Sequence, residues 1–205
     1  MTDSDGTEWQ LLHVSPLLTL LPAFLTTAEA TEMQHVLERE IEWTSPVIKL
    51  YGRQHTIPRS QCWMGDGNAR YRYSGRTFQP RPWHPLVESL RDRVGRELQK
   101  SDLPHAEFNS VLLNRYASGE QRMGWHSDDE PELGKNPVVA SVSLGSERPL
   151  RFRDRAKPSN NAFNVWLPHG SLLLMGPGAQ AQWQHALAPR AIEGVRINLT
   201  FRQII

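Results

Sequence analysis

The chain has 205 residues, 39% of them hydrophobic, and a formal net charge of +1. This length suits one well-buried core and is too short for two comfortable domains, so we predict a single domain over residues 1–205. The one cysteine, Cys62, excludes an intrachain disulfide framework and a four-cysteine zinc site, and it favours a reducing compartment, by default the cytoplasm. The apolar run from Leu17 to Leu25 is interrupted by Pro22, so we expect neither a membrane span nor a signal peptide.

The small net charge conceals two oppositely charged segments. Residues 1–48 carry eight acidic side chains against Arg39 alone, whereas residues 49–82 carry seven basic side chains against Asp66 alone. Aromatic residues are interleaved with the basic ones: Tyr51, Trp63, Tyr71, Tyr73 and Phe78. Arginines track phosphates while rings stack on bases, so this composition suits a nucleic acid. A solvated, arginine-rich pair of hairpins fits the composition equally well.

Two helices are predicted in the first half of the chain. Residues 1–10 are polar and lack periodicity, which predicts a mobile tail. The capping-box pattern from Thr26 to Glu29, followed by apolar residues at helical spacing, predicts a helix over about 28–41. Pro85 begins a second helix whose apolar stripe indicates packing and not chemistry.

Between the helices, the basic segment has the pattern of hairpins. A strand over 47–51, a turn and a return over 56–58 place Tyr51 near a tip. Arg70-Tyr71-Arg72-Tyr73 alternates, so Tyr71 and Tyr73 share one face of a strand. Two tyrosines on one strand face are also ordinary core residues, and this alternative stays open.

The second half of the chain is rich in predicted strands. They are separated by Gly, Pro and Asn turns and cover residues 109–116, 138–145, 150–153, 163–167, 171–175 and 194–203. Late strands after early helices predict a mainly β, α+β domain. We expect a double-stranded β-helix, or jelly roll, with its core over 109–205 and braced by the two helices.

Three side chains are candidate metal ligands. His126 and Asp128 stand two positions apart, so in an extended strand they point the same way, and His185 follows at a distance that allows the chain to fold back beside them. Two imidazoles and one carboxylate cover one face of an octahedral metal and leave positions for a cosubstrate and oxygen, as in non-haem Fe(II) oxygenases. Spacing alone also fits histidines that only form hydrogen bonds.

The last strand places two arginines on one face. Its polar face consists of Arg196, Asn198, Thr200 and Arg202, while Ile197, Leu199 and Phe201 form the other. Buried guanidinium groups need anionic partners, and a dicarboxylate such as 2-oxoglutarate would satisfy both through bidentate contacts. An edge strand with a solvated arginine face is the alternative.

These segments carry a family resemblance. In chain order they are Asn114-Arg115-Tyr116, His126-Ser127-Asp128, His185 and Arg196-Ile197-Asn198-Leu199-Thr200-Phe201-Arg202. They resemble the signatures of the AlkB family of Fe(II)- and 2-oxoglutarate-dependent dioxygenases, over about residue 47 to the end. The closing RxNxTFR pattern is far more specific than the HxD pair.

The resemblance implies roles for the candidate residues. The catalytic iron would be bound by His126, Asp128 and His185. Arg196 would clamp the distal carboxylate of 2-oxoglutarate, with help from Asn114 and Tyr116. Asn198 and Arg202 would lie nearer the 1-carboxylate, although the division between the two arginines stays open.

The resemblance also implies a nucleotide-recognition lid over residues 47–82. Tyr51 would act as a wedge that fills the gap left by an extruded base, and Tyr73 would lie against the flipped base. The full set of implied substrate contacts is Tyr51, Arg59, Tyr71, Tyr73, Asp129 and Glu130.

The function implied is oxidative demethylation of N-alkylated bases such as 1-methyladenine and 3-methylcytosine. The cofactors would be Fe(II), 2-oxoglutarate and O2, with succinate, CO2 and formaldehyde released. We expect a monomer that acts on alkylated single- or double-stranded DNA, with RNA as a further substrate, in the cytoplasm (at the nucleoid) or in a eukaryotic nucleus. One alternative is a dioxygenase for another substrate class (RNA only, protein or a small molecule), and another is a non-catalytic nucleic-acid-binding module.

Overall fold

The computed structural model describes residues 6–50, 53–69, 71–73, 76–159 and 162–205, with the backbone alone at 48–50, 53, 71–73 and 76–78. The helices in these ranges are α1 (Thr27–Glu40), α2 (Pro85–Lys100) and the one-turn α3 (Ala179–Gln182). The strands are β1 (Gln10–His13), β2 (Leu18–Leu21), β3 (Val47–Leu50), β4 (Arg53–Thr56), β5 (Ser60–Gly65), β6 (Tyr71–Tyr73), β7 (Arg76–Phe78), β8 (Ser110–Tyr116), β9 (Met123–His126), β10 (Val139–Gly145), β11 (Arg148–Asp154), β12 (Phe163–Leu167), β13 (Ser171–Met175), β14 (Trp183–Leu187) and β15 (Arg196–Arg202).

Two antiparallel sheets form the β part. The large sheet has the order β1-β2-β13-β10-β15-β8-β5, and the small sheet has the order β12-β11-β14-β9. Two further pairs, β3-β4 and β6-β7, are separate hairpins within the predicted lid. The helix-braced, mainly β jelly roll predicted from the sequence is therefore confirmed.

The large sheet has a different core on each face. Its outer face packs against α1 and α2, with Leu37, Val94 and Phe201 among the fully buried members of that cluster. Its inner face meets the small sheet through a second, smaller cluster that includes Phe152 and Trp183. Polar side chains lie on this inner face, so the space between the sheets contains both apolar packing and the candidate site.

The helix boundaries follow the signals in the sequence. The Thr26 side chain accepts a hydrogen bond from the Glu29 backbone N–H, and the Glu29 carboxylate accepts from the Thr26 backbone N–H, which completes the capping box before α1. Pro85 occupies the first turn of α2, where no backbone donor is needed. None of the helices within the described ranges is long and apolar enough to cross a membrane.

Two expectations about local structure are corrected. Residues 6–10, predicted as part of a mobile tail, are anchored, because Gly6 O accepts from Ala23 N at 2.9 Å and the Trp9 indole N–H donates to Ser101 Oγ at 3.0 Å. The strand predicted to carry both His126 and Asp128 ends at His126. The pattern of residues 1–10 does not indicate these hydrogen bonds, because their partners, Ala23 and Ser101, lie far away in the sequence.

Candidate active site

The polar face of β15 lines the space between the sheets. Arg196 is 2% exposed and lies in register with Tyr116 of β8, while Asn198 lies in register with Asn114. Ile197, Leu199 and Phe201, on the opposite face, are fully buried against the helices. The predicted alternation is confirmed, and the alternative of a solvated arginine face is excluded for Arg196.

The three candidate metal ligands converge at one end of this space. His126 of β9 and His185 of β14 are direct cross-strand partners, with ring centroids 4.2 Å apart. The Asp128 side chain reaches the same point, with its Oδ2 3.9 Å from His185 Nε2. One ligand atom from each of the three residues lies within 4.8 Å of those of the other two.

Asp128 takes this position from a loop, held by Gln180. The Asp128 backbone N–H donates to Gln180 Oε1 at 2.9 Å, and Gln180 Nε2 contacts Met175 Sδ at 3.4 Å. Gln180 is 2% exposed and lies on α3, immediately before the strand that carries His185. A buried side chain thus replaces the ladder hydrogen bond that the shorter strand lacks.

The hydrogen bonds around the ligands leave metal-facing atoms available. His126 Nδ1 lies 2.9 Å from Gly124 O, so a proton on Nδ1 leaves Nε2 as the ligand atom. Asp128 Oδ1 accepts from Arg202 Nη2 at 2.7 Å, whereas the buried Oδ2 has no hydrogen-bond partner in the described part of the chain. An orphaned buried carboxylate oxygen beside two imidazoles fits a divalent metal.

The charge states of the ligands also favour metal binding. Burial opposes ionisation of Asp128, but the Arg202 guanidinium and the two imidazoles outweigh it and lower its pKa to about 2. Burial, together with repulsion from His126, lowers the pKa of His185 to about 3. At neutral pH the site therefore presents a carboxylate and a neutral imidazole, which are the forms that bind metals.

Arg196 is a buried cation at the other end of the space. Its Nη2 donates to Ser143 Oγ at 3.0 Å, while Nε and Nη1 are buried without a hydrogen-bond partner among the described residues. Burial lowers its pKa to about 10, so the group stays charged at neutral pH. Two unpaired donors on a buried guanidinium fit a carboxylate of the predicted cosubstrate.

The other predicted cosubstrate residues lie around Arg196. Asn198 Nδ2 donates to Ser141 Oγ at 2.7 Å, and Asn198 Oδ1 accepts from the Thr200 hydroxyl. Asn198 therefore braces the pocket through hydrogen bonds to the protein. Arg202 lies at the metal end through its bond to Asp128, and its place near the 1-carboxylate stays a prediction.

Asn114 and Tyr116 line the same cavity from β8. Asn114 Oδ1 accepts from Arg59 Nε at 2.7 Å, which places Arg59, predicted as a substrate contact, beside the cavity that Asn114 lines. Burial raises the pKa of Tyr116 despite the nearby arginines, so the phenol stays protonated and able to donate a hydrogen bond. The complete lining is Leu112, Asn114, Tyr116, Met123, His126, Asp128, Ser141, Leu150, Leu167, Met175, His185, Leu187, Arg196, Asn198, Thr200 and Arg202.

Two of the predicted substrate contacts, Asp129 and Glu130, directly follow the candidate metal ligand Asp128. Asp129 forms an ion pair with Arg155 at 2.6 Å, and Glu130 precedes the short turn Pro131–Leu133. Tyr71 and Tyr73 lie on β6, of which the backbone alone is described, and Tyr51 lies outside the described residues. The substrate roles of all six residues stay predictions.

Sequence reasoning missed two residues, Gln180 and Arg148, that support the site although they do not line the cavity. Gln180 holds Asp128, and Arg148 is 1% exposed beneath Tyr116, with its Cζ 5.5 Å from the ring centroid. A charged residue in the strand pattern of β11 was the available signal for Arg148. Gln180 carries no signal, because its role depends on where Asp128 lies in space.

Comparison with known proteins gives the same answer as the geometry. The family model of the 2OG-Fe(II) oxygenase superfamily matches residues 17–202. The human "DNA oxidative demethylase ALKBH2" is 36% identical over 98% of this chain and 79% of its own length. The human "Alpha-ketoglutarate-dependent dioxygenase alkB homolog 3" is 33% identical over 90% of this chain, which spans 65% of that relative.

A solved structure supports the fold. "The structure of OsALKBH1" matches 95% of this chain and 100% of that chain with a TM-score of 0.68 at 22% identity. The family resemblance drawn from the motifs is thus confirmed, and with it the use of Fe(II), 2-oxoglutarate and O2. The chain belongs to the AlkB family within the 2OG-Fe(II) oxygenase superfamily.

Proposed function

We propose that this protein is a DNA oxidative demethylase that acts on N-alkylated bases such as 1-methyladenine and 3-methylcytosine. The observation that carries the proposal is the presence, in one cavity, of an orphaned Asp128 Oδ2 between two imidazoles and of unpaired donors on Arg196. The DNA substrate is supported by the 36% identity to a relative named as a DNA oxidative demethylase.

Each residue has a distinct task in this proposal. His126, Asp128 and His185 hold Fe(II), and Arg196 binds the distal carboxylate of 2-oxoglutarate with Tyr116 beside it. When bound, the iron and the cosubstrate activate O2 for oxidation of the N-methyl group, which leaves as formaldehyde while succinate and CO2 are released. Arg202 orients Asp128, because its Nη2 donates to Oδ1, while Oδ2 has no hydrogen-bond partner among the described residues.

The nucleic acid would enter from the lid side of the cavity. The described residues of the basic, aromatic segment 49–82 contribute to the β3-β4 and β6-β7 hairpins, and Arg59 connects this segment to the pocket through Asn114. Methyl groups that block base pairing lower the free energy needed to extrude a base, which contributes to selectivity for methylated over unmodified bases. Asp129 directly follows the proposed metal ligand Asp128, and its carboxylate forms an ion pair with Arg155.

The test is formaldehyde release from an alkylated oligonucleotide. Protein is titrated anaerobically with Fe(II) and 2-oxoglutarate, and then O2 and a 3-methylcytosine DNA oligonucleotide are added. We expect near-stoichiometric formaldehyde from the wild type and essentially none from Asp128→Ala. Asp154→Ala is the matched control, because within the described residues this carboxylate accepts from the backbone N–H groups of Ala156 and Lys157 in a turn.

Parallel reactions separate the proposal from its rivals. Formaldehyde from methylated RNA but not DNA would move the substrate to RNA. Succinate release that methylated oligonucleotides fail to stimulate, while a protein or small molecule does, would favour another substrate class. Binding of DNA without any formaldehyde would indicate a binding module.

We also propose that the protein is a monomer in solution and that it acts in a reducing compartment, such as the cytoplasm or a nucleus. The single buried Cys62 supports the reducing compartment.

A further inference from the structure

The fold contains a second fully buried guanidinium, which does not line the cavity. Arg148, at the first position of β11, is 1% exposed and is among the largest fully buried side chains. Its Nη2 donates to Gln121 O at 2.8 Å and to Ala188 O at 2.7 Å, and its Nη1 lies 3.4 Å from Ser118 O. Within the described residues, no carboxylate lies within ion-pair distance of it.

The three acceptors belong to two loops. Loop 117–122 connects β8 to β9, and loop 188–195 connects β14 to β15. The strands on either side of these loops carry Tyr116, His126, His185 and Arg196. The Arg148 side chain therefore bonds to both connections between the four strands that supply the candidate site.

The two loops also contact each other directly. Gly119 N–H donates to Ile192 O at 3.1 Å, and Arg190 N–H donates to Gly119 O at 2.9 Å. A Cβ at position 119 would collide with the carbonyl oxygens of Arg190 and Ile192, so a glycine is required there. The planar guanidinium of Arg148 directs its donors at the carbonyl oxygens of Ser118, Gln121 and Ala188, an arrangement that a lysine ammonium cannot reproduce.

The loop contact made by Arg148 lies next to Tyr116, which lines the cavity, so it can affect binding of 2-oxoglutarate. Arg148 Cζ lies 5.5 Å from the Tyr116 ring centroid, and Tyr116 is the cross-strand partner of Arg196. The geometry points to Arg148 as a positioning residue that ties loops 117–122 and 188–195 together beneath Tyr116, and so fixes the end wall of the pocket that measures the length of the dicarboxylate. This inference rests on the proposed assignment of Arg196 and Tyr116 to 2-oxoglutarate.

A fixed end wall affects cosubstrate binding more than metal binding. The metal ligands lie at the opposite end of the cavity and have their own supports in Gln180, Arg202 and the Gly124 carbonyl. Loosening the wall weakens binding of the five-carbon 2-oxoglutarate and relaxes discrimination against 2-oxoadipate, which is one methylene longer. General loss of stability would leave the ratio of the two affinities unchanged in the folded fraction.

The test is anaerobic calorimetric titration of the Fe(II)-loaded full chain with 2-oxoglutarate and with 2-oxoadipate, alongside a titration with Fe(II) alone. We expect Arg148→Met to raise the Kd for 2-oxoglutarate about tenfold, as is typical when a residue that orients a binding side chain is removed. The Kd for 2-oxoadipate should rise less, and the Kd for Fe(II) should stay within about twofold. Arg148→Lys keeps the charge without the planar fork, so we expect it to resemble Arg148→Met.

Arg93 offers a matched control. Its guanidinium also donates to a backbone carbonyl, Phe24 O at 2.9 Å, and lies over an aromatic ring, but on the helix side of the large sheet. Arg93→Met should lower stability without changing the ratio of the two keto acid affinities. Should Arg148→Met not fold, Gln121→Ala loosens loop 117–122 by removing the hydrogen bond from the Ala117 backbone N–H to Gln121 Oε1, and it should change the ratio in the same direction.

The outcomes separate this inference from the proposed function. Unchanged keto acid affinities in Arg148→Met, a full return to wild-type values in Arg148→Lys, or equal weakening of both keto acids and Fe(II) would each overturn the positioning role. If the wild type does not bind 2-oxoglutarate, or Arg196→Met binds it as tightly as the wild type, the assignment of the pocket itself fails.

Discussion

The two faces of β15 satisfy opposite demands. On the helix side, Ile197, Leu199 and Phe201 are fully buried in an apolar cluster. On the inner side, Arg196 is buried nearly as completely, yet two of its donors have no partner among the described residues. The same seven-residue strand thus contributes fully packed apolar side chains to the core on one side and a buried polar side chain with unpaired donors on the other.

This difference indicates that the helix side of β15 contributes mainly to stability and the inner side mainly to ligand binding. Burial of apolar side chains stabilises the fold whether or not a ligand is bound. A buried cation with unpaired donors costs free energy until an anion arrives, so the inner face is stabilised only in the complex. Substitutions on the two faces should therefore have opposite effects on stability and on cosubstrate binding.

The largest effect on stability is expected on the helix side. Phe201→Ala removes a fully buried ring that lies 6.2 Å, centroid to centroid, from Phe108. We expect the free energy of unfolding to fall by about 3 to 5 kcal/mol, measured by urea denaturation. The affinity of the folded fraction for 2-oxoglutarate should stay within about twofold. A loss of less than about 1 kcal/mol would contradict the division between the faces.

The inner face gives the converse result. Arg196→Met keeps the apolar stem and removes the charge, so we expect 2-oxoglutarate to bind about 100-fold more weakly through loss of its charge-assisted hydrogen bonds. The ligand-free variant should be at least as stable as the wild type, because an uncompensated buried charge is gone. Calorimetry and denaturation of the same preparation check both statements, and a clear loss of apo stability would refute the second.

The smallest effect concerns the bracing of the helices, through Glu29. Hydrogen bonds from Arg93 and from the Thr26 backbone, against a small cost of burial, lower the pKa of Glu29 from 4.5 to about 2. Its stabilising contribution is complete above pH 4.5 and is lost as the pH falls towards 2, since the unfolded state takes up the proton first.

The pair that Glu29 forms with Arg93 is partly exposed, and solvent screening limits its strength. We expect Glu29→Gln to cost about 1 kcal/mol at pH 7 and almost nothing near pH 2, as judged by urea denaturation across this pH range. A difference that does not depend on pH would assign the effect to packing and not to the carboxylate. Binding of 2-oxoglutarate should be the same in both proteins.

Much of this arrangement could be predicted from local sequence pattern. The capping box at Thr26, the proline that begins α2 and the alternation along β15 each specify their element through neighbours in the chain. The metal triad was predicted from residue chemistry and the family resemblance, and the three side chains do converge.

The remaining features depend on contacts between distant segments. The end of β9 at His126 and the place of Asp128 in a loop depend on Gln180, which lies 52 residues away. The internal position of Arg148 depends on carbonyls from two loops that meet only in the folded chain. A hydrogen bond of this kind leaves no periodic signal, because neither partner is repeated along an element.

His126 lies on an outermost strand, and this has a consequence for how the centre is lost. β9 has four residues and, in the described part of the chain, β14 is its one neighbour in the sheet, whereas β14, with His185, has β11 on its other side. Fraying starts at short outer strands, so His126 should be the first ligand to detach while His185 stays in place. Release of the ion and local opening of this edge of the small sheet should then be coupled, and a bound metal should favour the closed position of β9.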